Sequence, residues 1–374
     1  MSSPYLEEIK VFYENDARKV KCFCGEICNK TIIDHLRNKH PEVWQEWCMD
    51  FVKQFSLGRT PHGIMNHYRL SDGRYLFSWT VVERAIHEMI ENNRISLNFP
   101  EKTRIEEWGP RDFKLERTSV WDFKERGNWA VHQNDYRGNW SPRLVRNLIL
   151  KYTRPRDWIL DPFVGGGTTL IEAWLNRRKS VGVDISRFAI EMTDQRLAEM
   201  RNKSPKTGRQ RLLDEFQPLV ERGDSRELLS ILDRIGLREE MFALVCVHPP
   251  YFDALAYTQT LENDLSRIHS LEKFSLELQK IASQIYRCLR DNGVCAVLIG
   301  DVRKKNRIVP LGFKVMSIFA NEGFELKEII IKVQRHDRST SFWYKSKSID
   351  FLIAHEYLLI FDKSVKLHAN PNST

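Results

Sequence analysis

A run of three glycines preceded by an acidic residue is the first feature of this sequence that could do chemistry. Residues 161–173 read DPFVGGGTTLIEA, so an apolar run leads through the glycines into a helix that opens with two threonines. Glycines at such a turn let a ligand approach the backbone amides at a helix N-terminus. The next apolar run ends at Asp184, whose carboxylate could accept hydrogen bonds from both hydroxyls of a ribose. The glycine turn together with this acidic residue predicts a nucleotide-type cofactor, the alternative being a plain strand-to-helix turn. No lysine follows the glycines, which excludes a P-loop.

A second group of residues, His248-Pro249-Pro250-Tyr251, follows the apolar run 243–247. In an open α/β sheet, ligands bind at the carboxyl ends of the strands, which is where this group should lie. Two prolines stiffen the loop and leave backbone carbonyls without neighbouring amides to pair them. A polar ring, two carbonyls and the flat ring of Tyr251 suit a flipped base that presents an exocyclic amine. The alternative is a Pro-Pro turn that only closes a strand.

Five potential metal ligands form a third group within nineteen residues: Cys22, Cys24, Cys28, His35 and His40. The pattern resembles a two-Cys, two-His zinc finger, including the helical His-x4-His spacing. Thiolates and imidazoles together complete a tetrahedral zinc shell. The cysteine spacing differs from the common Cys-x2-Cys, and three thiols compete for two positions. We therefore expect one structural zinc bound by both histidines and two of the cysteines, against the alternative of thiols that bind no metal.

The elements that must position these residues alternate between strands and helices from about residue 135. Apolar patterns predict strands at 157–161, 180–184, 243–247 and 293–300 and helices at 168–178, 186–202 and 264–290, followed by a strand pair at 326–334 and 350–361. This order predicts an α/β protein with a doubly wound, largely parallel sheet whose last strands are antiparallel. Residues 1–115 show helical periodicity at 42–55 and 79–92 without such alternation. We expect a small, mainly helical recognition domain over 1–115 and the sheet domain over 116–374.

Composition narrows the class of protein further. The 374 residues carry 58 Lys and Arg against 50 Asp and Glu, a net charge of +8, which is compatible with a polyanionic partner. The longest apolar runs are only strand-sized, the first residues lack a signal-peptide pattern, and the seven cysteines are odd in number. These features predict a reduced, cytoplasmic protein without a membrane partner. The basic segments 201–211 and 335–347 are either solvated loops or contacts for single-stranded nucleic acid, the second also containing Phe342, Trp343 and Tyr344.

Together the first two motifs resemble the N-4/N-6 amino-methyltransferases, the DNA methylase family that uses S-adenosylmethionine (SAM) to methylate exocyclic amines of cytosine or adenine. DPFVGGGTT matches the family's DPF-x-G-x-G-TT, and HPPY matches its (Asp/Asn/Ser)-Pro-Pro-(Tyr/Phe). The resemblance covers residues 130–363, with further matches at 136–144, 223–224 and 355–361. It implies a Rossmann-like methyltransferase fold. The cofactor-binding residues that it implies are Asn139, Trp140, Asp161, Phe163, Gly165, Gly167, Thr168, Asp184 and Asp224.

For the chemistry, the resemblance implies His248, Pro249, Pro250 and Tyr251. His248 departs from the family, which usually has Asp, Asn or Ser at the position that accepts a hydrogen bond from the target amine. A neutral imidazole can accept one such bond and later take the proton that the amine loses. The surrounding sequence, HPPYFDALAYTQ, looks more like the cytosine branch, so we expect N4 of cytosine to be the acceptor.

The nature of the nucleic acid is less constrained by the motifs. Only residues 1–115 remain for recognition, and a compact finger with helices can hold structured RNA by shape and phosphate contacts. We therefore expect a structured RNA, such as ribosomal RNA or a ribosomal particle. The alternative is a DNA modification methylase that reads a short site. A third alternative, an idle binding protein with this fold, is disfavoured because the glycines, Asp184 and the HPPY loop are all present.

Overall fold

The computed structural model describes residues 9–14, 17–28, 32–57, 59, 61–69, 75–93, 99, 101–102, 104–136, 138–203, 215–252, 261, 263–304, 306–335 and 351–363. Most of the two predicted basic segments, 204–211 and 336–347, lies outside these residues. Two compact units divide the chain, the first within Met1–Glu101 and the second within Lys102–Tyr257 and Leu261–Thr374. The domain limits expected at residues 115 and 116 stay a prediction. Within the described ranges, no helix combines the length and hydrophobicity that a membrane crossing would need.

The first unit begins with a small antiparallel sheet and continues as helices. Its elements are β1 (Lys10–Glu14), β2 (Ala17–Lys21), β3 (Ile27–Cys28), α1 (Ile32–Lys39), α2 (Pro41–Ser56), α3 (Pro61–Met65) and α4 (Trp79–Asn93). The helices at 42–55 and 79–92 are confirmed. The sheet was not predicted, because its strands are short and carry charges instead of a clear apolar alternation.

Aromatic side chains hold the helices of the first unit together. Trp47, Phe51 and Phe77 are almost fully buried. The rings of Trp47 and Phe77 meet edge to face with centroids 5.3 Å apart, and those of Phe51 and Phe77 do so at 5.6 Å. Such edge-to-face pairs are the favoured aromatic geometry. The core of this unit is therefore aromatic and supports α2 and α4.

The second unit contains an eight-stranded sheet flanked by helices. In chain order it comprises β4 (Val120–Trp121), α5 (Pro142–Tyr152), β5 (Trp158–Asp161), α6 (Thr168–Leu175), β6 (Lys179–Asp184), α7 (Arg187–Lys203), β7 (Leu219–Arg222), α8 (Leu228–Arg234), β8 (Phe242–Val247), α9 (Leu271–Cys288), β9 (Leu289–Ile299), β10 (Val302–Lys304), β11 (Arg307–Val309), α10 (Leu311–Asn321), β12 (Glu325–Val333) and β13 (His355–Asp362). The strand order is β4-β12-β13-β9-β8-β5-β6-β7. Strands β5 to β9 run parallel, and β13 is antiparallel to both β9 and β12.

This is the predicted doubly wound, Rossmann-like sheet with antiparallel last strands. Adjacent residues of β5 face opposite cores: Ile159 packs with Leu148 of α5, and Leu160 packs in the cluster that contains Leu278 of α9. Because both faces are covered by helices, the central strands are mostly apolar, and this made them readable from sequence.

Some elements differ from the sequence prediction. The long helix expected at 264–290, in which a break was left open, is a short 3₁₀ turn at Leu265–Arg267 followed by α9. Ser270 interrupts it, since its hydroxyl caps α9 by accepting a hydrogen bond from the amide of Lys273 at 3.2 Å. Strand β7 was missed because it is short and polar, reading LVER.

The chain reverses its winding direction beside β5. From β5 it continues outward to β6 and β7 and then returns to β8 on the other side of β5. At such a switch point the connections leave in opposite directions and open a crevice at the carboxyl ends of the two strands. Asp161 ends β5 and His248 follows β8, so the two sequence motifs flank this crevice.

Candidate functional site

The turn after β5 requires glycine at two positions. Gly165 and Gly167 have φ angles of 50° and 78°, in the left-handed region. A Cβ atom on Gly165 would come within 2.8 Å of the Tyr136 ring, and one on Gly167 within 2.9 Å of Thr193. The Thr193 hydroxyl also donates to the Gly165 carbonyl at 2.8 Å. The backbone of this turn is therefore closely surrounded on the protein side.

Asp184 and Asp161 stabilise the same turn through backbone amides. Asp184 accepts hydrogen bonds from the amides of Gly165 and Ser186, both at 2.9 Å. Asp161 is fully buried and accepts from the Phe163 amide at 3.0 Å and the Thr169 hydroxyl at 2.5 Å. Burial raises the pKa of Asp161 to about 7. The end of β6 is thus joined to the glycine turn, as a shared ligand site requires.

Asn139 and Trp140, from the segment before α5, join the two motifs. The side-chain oxygen Oδ1 of Asn139 accepts a hydrogen bond from the Gly166 amide at 3.2 Å. The ring of Trp140 meets that of His248 edge-on, with centroids 5.5 Å apart. Its indole Nε1 is buried without a hydrogen-bond partner in the described part of the chain. A buried donor without a partner is rare in proteins, so a ligand acceptor at this position would be stabilising.

A buried carboxylate anchors that segment to the helix below the turn. Glu172 of α6 is fully buried and accepts from Trp129 Nε1 at 2.6 Å, His132 Nε2 at 2.8 Å and Arg146 Nε at 2.7 Å. Burial alone would raise its pKa, but the contacts from His132 and Arg146 lower the pKa instead. A carboxylate with this many partners fixes the 129–146 region on α6.

His248 stays neutral at physiological pH. Burial lowers its pKa to about 4, although nearby Glu356 acts in the opposite direction. The ring is hydrogen-bonded to the backbone of Gly138, and its Nε2 lies 3.3 Å from the Tyr251 hydroxyl. Pro249 is buried and Pro250 is partly exposed. A neutral imidazole can accept a hydrogen bond, which the protonated form cannot.

Sequence reasoning missed two residues that hold Tyr251. The Tyr251 hydroxyl donates to Glu356 of β13, and Lys332 of β12 donates to the other carboxylate oxygen at 2.6 Å. Burial would raise the pKa of Glu356, but Lys332 and the hydrogen bond from Tyr251 lower it, so the carboxylate is ionised. Gly300 leaves room for the ring, because a Cβ there would come within 2.9 Å of it. The available signal was an acidic residue within the apolar run of β13, HEYLLIFD.

Other predicted cofactor residues lie on the same edge. Thr168 is buried at the start of α6, and Phe163 packs partly buried against the core. Asp224 follows β7, and Arg226 donates to both of its carboxylate oxygens, at 2.6 and 2.9 Å. The adenine-edge role that the resemblance gives Asp224 therefore stays a prediction for a carboxylate that is already ion-paired.

The first unit brings four of the five predicted metal ligands together. One ligand atom each from Cys22, Cys24, His35 and His40 lies within 4.8 Å of the others. Cys24 Sγ is 3.3 Å from His35 Nε2, and His40 Nε2 is buried without a hydrogen-bond partner in the described ranges. Cys28 lies on β3, outside this group.

Comparisons with known proteins agree with these motifs. The sequence model of the N6/N4 methyltransferase family, described as DNA methylase, matches residues 5–195 and 242–373. The chain is 31% identical over 130 residues to the type II methyltransferase M.MjaII of Methanocaldococcus jannaschii, a match over 34% of this chain and 22% of that protein. It is 29% identical over 136 residues to the type II methyltransferase M.MthZI of Methanothermobacter thermautotrophicus, over 30% of this chain and 38% of that protein. The chain thus spans well under half of either relative.

Solved structures show distant likeness. A SAM-dependent methyltransferase from Methanosarcina mazei aligns over 59% of this chain and 98% of its own, with 14% identity and a TM-score of 0.39. A DNA modification methylase from Thermus thermophilus aligns over 38% of this chain and 51% of its own, with 22% identity and a TM-score of 0.29. Because the family model covers most of the sequence, the chain belongs to the N6/N4 DNA methylase family.

Proposed function

We propose that this chain is a SAM-dependent methyltransferase that transfers a methyl group to the exocyclic amine of a DNA base, N4 of cytosine being the preferred acceptor. The observation that carries this proposal is the meeting of the glycine turn and a neutral His248 at one switch point. RNA was the substrate expected from the sequence. The family match supports the alternative, DNA, better than RNA, because the matching family is described as DNA methylase.

The glycine turn fits SAM. The left-handed glycines of the turn, the Asp184 carboxylate at the end of β6 and the indole N–H of Trp140, which has no partner among the described residues, together offer donors and acceptors to a ligand. Gly165, Gly167 and Thr168 would hold the methionine portion with Asp161 near its amino group, Asp184 the ribose and Asp224 the adenine edge. Bound SAM supplies an electrophilic methyl group. Asn139 and Trp140 would keep that group near the HPPY loop, since they contact both motifs.

The HPPY loop activates the target amine by accepting hydrogen bonds from its two N–H groups. The amine of cytosine is a poor nucleophile because its lone pair is delocalised into the ring. Acceptors at His248 and at the Pro249 carbonyl would favour a pyramidal nitrogen and stabilise the positive charge that develops on it. Tyr251 stacks on the base, and His248 then takes the proton that the amine loses. No covalent enzyme intermediate is needed, and Cys246, Cys288 and Cys295 are buried in the second unit.

Replacing Asp184 tests the cofactor site. Asp184→Ala removes an acceptor for the ribose and two bonds to backbone amides, so SAM affinity should fall by about 1–3 kcal/mol. Isothermal titration calorimetry measures this loss. Asp233→Ala removes an exposed carboxylate from α8 and should bind SAM like the wild type. Equal SAM affinity in the Asp184→Ala and wild-type proteins would contradict the assignment.

The contacts of Tyr251 predict a role for Glu356 in holding that ring. Glu356→Gln weakens the bond to the tyrosine hydroxyl and leaves the charge of Lys332 without its partner. We expect the rate of single-turnover methyl transfer at saturating SAM to fall roughly tenfold, which corresponds to an activation free energy raised by about 1.4 kcal/mol. SAM affinity should change less than twofold.

Two variants control this prediction. Tyr251→Phe keeps the stacking ring and should lose less rate than Tyr251→Ala, which also loses about 1–3 kcal/mol of base stacking. Thermal melting shows whether each variant is folded. A folded Glu356→Gln protein that transfers at the wild-type rate would rule out this role.

The reaction itself is tested by transfer of tritium from labelled SAM to separate pools of genomic DNA, total RNA and ribosomes. We expect label in DNA. His248→Ala should lower the single-turnover rate more than it weakens DNA binding, because its bond is strongest in the transition state. His248→Asn keeps a hydrogen-bond acceptor and should retain part of the rate. Label found only in RNA would overturn the choice of DNA, and wild-type rates in both variants would remove His248 from the chemistry.

We also propose that Cys22, Cys24, His35 and His40 bind one structural zinc ion. In a tetrahedral zinc shell, ligand atoms are roughly 3.3–3.8 Å apart, from Zn–S of about 2.3 Å and Zn–N of about 2.0–2.1 Å. The observed grouping within 4.8 Å approaches this spacing, and the buried His40 Nε2 has no other described partner. Such a metal would stabilise a small unit around the β1–β3 sheet and α1.

Elemental analysis of the purified protein tests this site and separates the cysteines. We expect one zinc per chain in the wild type, loss of zinc in Cys24→Ser and His40→Ala, and full retention in Cys28→Ser, since Cys28 lies outside the group. Wild-type protein without stoichiometric zinc would end the proposal. Zinc loss in Cys28→Ser equal to that in Cys24→Ser would show that the ligand set is wrong.

A further inference from the structure

A basic hairpin leaves the sheet beside the HPPY loop. Strands β10 and β11 pair antiparallel, with Val302 opposite Val309 and Lys304 opposite Arg307. The hairpin follows the carboxyl end of β9, the strand next to β8, so it lies on the same edge of the sheet as Tyr251. This edge is where a ligand of an open α/β sheet binds.

Contacts at its base hold the hairpin at this place. The ammonium group of Lys304 lies 5.2 Å from the ring centroid of Phe252, the residue after Tyr251. Asp301, immediately before β10, accepts from the Gly312 amide at 3.0 Å and so ties the start of the hairpin to α10. The position of the hairpin relative to the HPPY loop is therefore set by direct contact.

The charge of the hairpin is entirely positive. Residues 302–309 read VRKKNRIV, with four basic residues and no acidic one. Lys304 and Arg307 are exposed, and within the described ranges Arg307 forms no ion pair. A solvated hairpin on a protein of net charge +8 is the simpler explanation for the charge alone.

An exposed aromatic ring beside the hairpin points to a more specific use. Arg303 donates to the Phe351 carbonyl at 2.9 Å, and the Phe351 side chain is 85% exposed. Exposed apolar rings next to cations are the combination with which proteins hold single-stranded nucleic acid, the cations meeting phosphate and the ring stacking on a base. A duplex from which one base has been extruded presents such a strand.

We propose that the hairpin 302–309 binds the phosphate backbone of the strand that carries the target base, and that Phe351 stacks on a base of that strand. The inference rests on the proposed function and deepens it by naming the residues that hold DNA. Phosphate contacts fix the position of a strand without reading its sequence. The contribution of Arg303 and Arg307 to binding affinity should therefore not depend on the DNA sequence.

Fluorescence anisotropy of a labelled duplex of about 20 base pairs with one central mismatch, titrated with full-length protein at several salt concentrations, tests this inference. The double variant Arg303→Ala/Arg307→Ala should bind roughly tenfold more weakly, and the slope of log K against log salt should shrink by about one per lost phosphate contact. Phe351→Ala should weaken binding without changing the slope, since stacking releases no counterions.

The matched control is Arg238→Ala, which removes an exposed arginine from the loop before β8, at the amino end of that strand and away from the HPPY loop. It should keep the wild-type affinity and slope. Unchanged SAM affinity and melting temperature show that the variants are folded. If the wild-type protein binds DNA and the Arg303→Ala/Arg307→Ala variant binds as tightly as Arg238→Ala, this inference is overturned and the proposed function is not. Wild-type protein that neither binds nor methylates DNA overturns the inference together with the proposed function.

Discussion

The low pKa of the partly buried His248, at the carboxyl end of β8, is the constraint on which the rest of the proposed site depends. Burial lowers the pKa of His248 to about 4, so the ring is neutral and can accept a hydrogen bond from an amine. Trp140 covers the ring edge-on, and the positive charge of Lys332 lowers the pKa further. The Glu356 carboxylate and the backbone hydrogen bond to Gly138 act in the opposite direction but do not outweigh burial. An exposed imidazole would have an ordinary pKa near 6.5. It would be protonated, and so unable to accept a hydrogen bond, already in mildly acidic solution.

The same segment of chain serves both halves of the proposed reaction. Asn139 bonds the glycine turn, and Trp140 contacts the HPPY histidine, while Glu172 anchors the preceding residues to α6. The glycine turn and the HPPY loop are thus connected through one segment of chain and are not two independent loops. This arrangement is the structural form of preorganisation, in which the polar groups are oriented before the substrate arrives.

The sequence could predict what is local and could not predict what depends on strand register. The glycine turn and the HPPY loop follow central strands whose residues are mostly apolar, so both motifs and their shared end of the sheet were predictable. Glu356 was not, because it meets Tyr251 only through the antiparallel pairing of β13 with β9, more than one hundred residues along the chain. The cysteines were equally ambiguous by spacing. A tight turn in which the Gly25 amide donates to the Cys22 carbonyl at 2.9 Å places Cys22 and Cys24 together and leaves Cys28 on β3.

The most direct measurement of the central claim is the identity of the methylated nucleoside. DNA incubated with the purified protein and SAM carrying a deuterated methyl group can be digested to nucleosides and separated by liquid chromatography with mass spectrometry. The two proposed acceptors, the neutral imidazole of His248 and the Pro249 carbonyl, predict label on an exocyclic amine, and the proposed preference for cytosine makes labelled N4-methyldeoxycytidine the expected product. Label on a ring carbon, or no label in DNA while SAM is bound, would contradict methylation of an exocyclic amine at the HPPY loop.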